Sequence, residues 1–193
     1  MNNYFKTEYE KREELGRLAL KELEQEHNIF KNPLLFCPDQ YGAYDAYYFK
    51  IDNSTQSITK RVWIEIKIRD RIFPNYILEK KKWNRLEQKR KDLGLNKDEV
   101  TYLYLNFTPN STYMWNITDF DKFIIEKMAM NKATSESRTD KIDKDITLLE
   151  PKSAYTIDYI YNEHNIMKKY EDEILLKKCK QAIIKKGLES VLF

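Results

Sequence analysis

Arg61-Val-Trp-Ile-Glu-Ile-Lys-Ile-Arg-Asp70 is the stretch on which the reading of this chain turns. As a β-strand it sends Val62, Ile64, Ile66 and Ile68 to one face and Glu65 and Lys67 to the other. A strand this apolar belongs at the centre of a sheet, where an unpaired Glu or Lys is costly. A carboxylate and an ammonium placed side by side there require partners. A divalent cation together with a phosphodiester would serve both.

The elements around this strand have a definite order. An acidic amphipathic helix over roughly Thr7 to Glu26 precedes a strand candidate, Tyr44-Asp-Ala-Tyr-Tyr-Phe49. A connection at Asp52 to Lys60 leads into the Glu-x-Lys strand, and a basic helix follows from about Tyr76. Two further strand candidates, Val100-Thr-Tyr-Leu-Tyr-Leu-Asn-Phe107 and Thr112-Tyr-Met-Trp-Asn-Ile117, come next.

An Asp followed by Glu-x-Lys on the neighbouring strand, in the order α-β-β-α-β, resembles the PD-(D/E)XK nuclease superfamily, the restriction-endonuclease-like and Holliday-junction-resolvase-like enzymes. The resemblance covers roughly residues 7–117. It implies an α/β fold, a restriction-endonuclease-like α-β-β-α-β core with a mixed central sheet, here followed by C-terminal helices. It further implies hydrolysis of DNA phosphodiester bonds with Mg²⁺ or Mn²⁺. Asp45 and Glu65 would hold the cation through oxygen, the ligand type hard cations prefer. The Ile66 carbonyl would be a third ligand, and Lys67 would orient water or stabilise developing charge. The family often adds a Glu from the first helix. Glu14, four residues before Leu18 in the apolar stripe Leu15, Leu18, Ala19 and Leu23, is the expected one, with Glu10 and Glu13 competing.

Hairpin register selects the Asp. If strands ending near Ile51 and starting near Arg61 pair antiparallel, Asp45 falls opposite Lys67 and on the same face as Glu65. Asp39, in the literal Pro38-Asp39 pair, would overrun the partner strand, and it stays the alternative.

The helix expected over Tyr76–Leu93 holds seven Lys and Arg against three Asp and Glu, a net charge exceeding the whole chain's formal +3. Its outward Lys80, Lys81, Arg85 and Lys89 are expected to meet DNA phosphates. Trp83, Leu86 and Leu93 should pack on the sheet, with Glu79 sharing their face.

Composition supports one domain over residues 1–193, with 41% apolar residues for its core. Neither a membrane span nor a secretory leader is legible, so a cytoplasmic protein is expected. Cys37 and Cys179 stand far apart, as do His27 and His164, which argues against a disulfide framework, a zinc finger or a Ser-His triad. Four glycines exclude a glycine-rich nucleotide loop. Lys-, Asn- and Ile-rich usage hints at an AT-rich bacterial or phage genome. Asp119–Met130 reads as a helix with Thr118 as N-cap, and 131–145 as a polar loop. Ile146–Tyr155 reads as a short extended piece, and a helical extension follows over about 159–193. The apolar stripe on 170–186 would either cover the sheet's second face or form a homodimer contact. The alternative to a nuclease is a non-catalytic protein on the same scaffold that binds nucleic acid or a protein partner, such as a phage virion or regulatory component.

Overall fold

β3 (Ile58–Ile68) buries every residue from Val62 to Ile66, as its nearly continuous apolar run requires of a strand covered on both faces. The computed structural model describes residues 8–30, 32–37, 42–131 and 141–185. Along the chain these form α1 (Glu8–His27), β1 (Leu35–Phe36), β2 (Ala46–Ile51), β3, β4 (Tyr76–Glu79) and α2 (Lys80–Asp92). Then come β5 (Val100–Phe107), β6 (Thr112–Asn116), β7 (Glu126–Asn131), β8 (Lys141–Leu149), β9 (Tyr155–Ile157) and α3 (Glu163–Lys185).

The architecture is mixed α/β. A six-stranded sheet has the order β1-β2-β3-β5-β6-β9, and β4-β8-β7 form a second sheet. β1, β2 and β3 are an antiparallel meander, whereas β3 and β5 run parallel. Parallel neighbours need a crossover, and here it comprises β4 and α2. The chain divides into two units, Met1–Tyr161 and Asn162–Phe193. In the second, the Asn162 carbonyl and side-chain oxygen accept from the Ile166 and Asn165 amides, which caps α3. Among the described residues no helix is long and apolar enough to cross a membrane.

The two faces of β3 are covered by different helices. α1 lies against the even-numbered face through Leu15, Gly16, Ala19, Leu20 and Leu23, all buried. Gly16 allows the close approach, since a Cβ there would sit 3.0 Å from the Ile66 Cγ2. Leu20 therefore takes the place expected for Leu18, which is only half-buried. The odd-numbered face carries an aromatic core, in which Trp63 stacks on Tyr44 and on Tyr102 at 4.8 and 5.6 Å between centroids. α2 covers it through Leu86, and its position is tied by the Tyr102 hydroxyl donating to the buried Glu87 at 2.7 Å.

Several expectations are corrected. The second helix begins at Lys80, because Tyr76–Glu79 pairs with β8. Leu93 consequently falls at the C-cap of α2 and is exposed. Asp119–Met130 is not a helix: a 3-10 turn at Phe120–Lys122 leads into β7, which pairs with β8. Met128 and Met130 are half-buried while Lys127 and Ala129 are exposed, a period of two that distant pairing selected over helical propensity. The Thr118 hydroxyl caps no helix and instead accepts from the Tyr102 amide. Of the expected polar loop, Lys141–Asp145 belongs to β8, and 132–140 lies outside the described residues, as does Asp39.

The close approach of Gly16 to Ile66 has a measurable consequence. Gly16→Val should lower stability by about 1–3 kcal/mol through overpacking, whereas Gln25→Val on the exposed side of α1 should cost well under about 1 kcal/mol. Urea denaturation of both variants measures the difference.

Candidate active site

Asp45, Glu65 and Lys67 meet at one end of the odd-numbered face. The β2–β3 register pairs Ala46 with Ile64, which sets Asp45 opposite Glu65 rather than Lys67. The two-residue displacement arises because β3 begins at Ile58 and the turn is short. In it the Asp52 side chain accepts from the Ser54 and Thr55 amides, and a register shift follows at Lys50/Ile51. An even displacement keeps the face. The Asp45 amide donates to the Ile64 carbonyl at 2.9 Å, and its Oδ2 accepts from the Ile66 amide at 2.6 Å. A residue in an antiparallel strand turns its N–H and C=O to the same neighbour. The Ile66 carbonyl is thus directed to the edge where Asp45 lies.

Glu65 is 2% exposed, and both the Lys67 and the Lys82 ammonium lie 2.7 Å from its Oε1. These are ion pairs without good hydrogen-bond alignment at that oxygen. The lysines themselves are about one-third exposed, at 35% and 30%, so the cluster opens to solvent on its cationic side. Burial alone would raise the Glu65 pKa, but the charges of Lys67 and Lys82 outweigh it and hold the carboxyl below the ordinary range. Burial would lower the Lys67 pKa, but the Glu65 charge reverses this and raises it. Burial, and then repulsion from Glu65, push Asp45 up to about 6, although Lys67 and the Ile66 amide act in the other direction.

Lys82 lies within the basic run of α2, where charge alone does not distinguish it. It precedes the buried Leu86 by one turn and adjoins Trp83, which marks it as inward, a signal present in the sequence. Lys81, Arg85 and Lys89 are exposed, while Lys80 is half-buried and 3.9 Å from Asp145. Glu14 lies on α1, the helix covering the opposite face of β3, and takes no part in the ion pairs at Glu65. Glu79 pairs with Lys144 at 3.1 Å. The parallel register also brings Tyr104 abreast of Glu65 and Asn106 abreast of Lys67, a juxtaposition no local pattern announces.

The donor set suits a hard divalent cation. Two carboxylates are close enough for one to raise the pKa of the other, and such a cation binds through one or two carboxylates while keeping waters. Among the described residues no group of three or more Asp, Glu, His and Cys converges. No protein-family model, curated protein or solved structure matches the chain.

The Asp45 shift predicts a pH dependence of stability. A carboxyl with a folded pKa of about 6, above its ordinary 3.8, binds its proton more tightly when folded, so stability is lost as pH rises through that interval. In EDTA, Asp45→Asn should therefore gain on the parent between pH 4 and pH 7, by up to about 3 kcal/mol. Its Oδ1 can still accept from the Ile66 amide. Denaturation at several pH values checks this, and a difference independent of pH would refute the shift.

Proposed function

We propose that the chain is a metal-dependent nuclease of the PD-(D/E)XK type that hydrolyses DNA phosphodiester bonds. The observation that carries this reading is the convergence of Asp45, Glu65 and Lys67 on one face. The support is architectural as well: an antiparallel meander, then a helical crossover to a parallel strand, is the order the resemblance implies. Asp45, Glu65 and the Ile66 carbonyl would hold Mg²⁺ or Mn²⁺. Such a cation, when bound, supplies charge stabilisation and a water of lowered pKa.

The chain's own residues have separable tasks. The Ile66 amide fixes the Asp45 carboxylate, and its carbonyl faces the same edge. Lys67 presents an ammonium beside the carboxylates, where it can stabilise the negative charge that grows on the phosphoryl oxygens. The exposed Lys81, Arg85 and Lys89 of α2 supply a cationic surface that would hold the DNA backbone without reading its sequence.

One observation favours a second reading, a non-catalytic nucleic-acid-binding protein on this scaffold. Lys82 already sits on the Glu65 oxygen, so the buried carboxylate is neutralised internally, and a metal would have to compete with it.

Incubation with supercoiled plasmid, linear duplex and single strands, in Mg²⁺, Mn²⁺ or EDTA, separates the two. Metal-dependent cleavage is expected, lost at least about a hundredfold in Glu65→Ala and Lys67→Ala. Calorimetry should show Mn²⁺ binding lost in Glu65→Ala and kept in Lys67→Ala. DNA binding without cleavage or metal affinity would establish the second reading. For the surface, replacing Lys81, Arg85 and Lys89 together by Gln should weaken DNA binding and flatten its salt dependence by about 0.9 per lost phosphate contact. An unchanged slope would make the helix a solvated face.

A further inference from the structure

We infer that β3 and β5 carry a second polar subsite beyond the carboxylates, an anion site formed by Lys67, Arg69 and Asn106 that takes a phosphate group of nucleic acid. The identity of the ligand rests on the nuclease reading, while the site itself rests on the geometry below.

The face that carries Glu65 and Lys67 continues to Arg69. The Arg69 amide donates to the Phe107 carbonyl at 2.8 Å, which prolongs the parallel ladder one residue past β3 and keeps Arg69 in line with Lys67. Its guanidinium is held from two directions, Nε donating to Asn106 Oδ1 at 3.0 Å and Nη2 to the Tyr104 hydroxyl at 3.3 Å. The Tyr104 hydroxyl in turn donates to the Ile77 carbonyl at 3.0 Å, which anchors it. Both partners of Arg69 are neutral. Among the described residues no carboxylate makes an ion pair with Arg69, so its charge is positioned without being neutralised. A guanidinium has five N–H donors, and most remain for a ligand.

Asn106 supplies the second observation. It is fully buried, and its Nδ2 has no hydrogen-bond partner. The assignment of the amide follows from chemistry, because Arg only donates and the oxygen must therefore face it. Nδ2 lies near the Tyr104 oxygen and favours its ionised form, yet without hydrogen-bond alignment. A buried donor left without an acceptor disfavours the folded state, a cost that an acceptor from outside the chain would remove. Asn106 is abreast of Lys67, so the three donors adjoin one another on two neighbouring strands.

Charge points the same way. Even with Asp45 ionised, Lys67, Lys82 and Arg69 outnumber Asp45 and Glu65 by one. The ligand that fits an excess cation, a planar guanidinium fork and an orphaned amide donor is an oxyanion with several acceptors and no obligatory donor. A phosphate has this form. The group could be an internal diester or a terminal monoester, which share that chemistry.

The test measures binding rather than cleavage. Fluorescence anisotropy in EDTA compares short duplexes ending in 5′-phosphate or 5′-hydroxyl. Asn106→Asp keeps an acceptor for Arg69 but replaces the amide donor by a carboxylate, and Arg69→Met removes the fork. Circular dichroism confirms that each variant is folded. Both should bind DNA about tenfold or more weakly, and inorganic phosphate at matched ionic strength should raise the Tm of the parent but of neither variant. Loss confined to the 5′-phosphorylated duplex assigns a terminal monoester, and equal loss on both duplexes assigns a diester. If both variants bind the DNAs and phosphate as the parent does, Asn106 is only a support for Arg69 and the subsite is refuted. Cleavage in Mg²⁺, scored separately, decides the nuclease reading: its absence with intact phosphate binding removes that reading and leaves the site.

Discussion

A carboxylate buried in the middle of a sheet governs the organisation of this molecule. Glu65 is nearly inaccessible, and two ammonium groups from different elements, Lys67 on β3 and Lys82 on α2, share one of its oxygens. Removing Glu65 would leave two neighbouring ammonium groups without their shared counter-charge, whereas removing either lysine would leave a balanced pair. The helix is held by other means as well, since Leu86 fills the aromatic core and Glu87 accepts from Tyr102. Together these contacts fix the rotation of α2 that turns Lys82 inward and leaves Lys81, Arg85 and Lys89 outside.

Stability alone does not account for the cluster. Apolar side chains of similar volume would do as well or better in that position, and the neighbouring Trp63 and Tyr102 show that the same face can be filled with aromatic rings. Asp45 adds a second carboxyl whose ionisation the fold disfavours, and Asn106 adds a buried donor with no acceptor. Polar groups that cost folding free energy, gathered at one strand end and open to solvent through Lys67 and Lys82, are the physical basis of the ligand site proposed above. The arrangement is graded along β3, with acids first and cations after. A metal and a phosphate would be received side by side.

What the sequence disclosed follows the range of the interactions involved. β3 and β5 were legible because long apolar runs fit only buried strands, and the shared face of Glu65 and Lys67 follows from the period of two. The β2–β3 register was displaced by two residues, since the Asp52–Ser57 turn is tighter than the gap in apolar pattern suggested. The inward position of Lys82 depends on α2 beginning at Lys80, after a segment that a distant strand recruits into a sheet. β7 reads as a helix for the same reason: its strand character comes from pairing with β8, not from its own residues. The juxtaposition of Arg69, Tyr104 and Asn106 with Lys67 depends on the parallel register of β3 and β5, which no local signal encodes.

Under the proposed function, Asp45 and Glu65 together bind a divalent cation in competition with Lys82. Anomalous diffraction from crystals grown in Mn²⁺ tests it most directly. The expected result is a peak about 2.1 Å from carboxylate oxygens of both Asp45 and Glu65, with the Lys82 ammonium displaced from Glu65. Glu65 still clasped by both lysines at saturating Mn²⁺, with no peak beside Asp45, would contradict it.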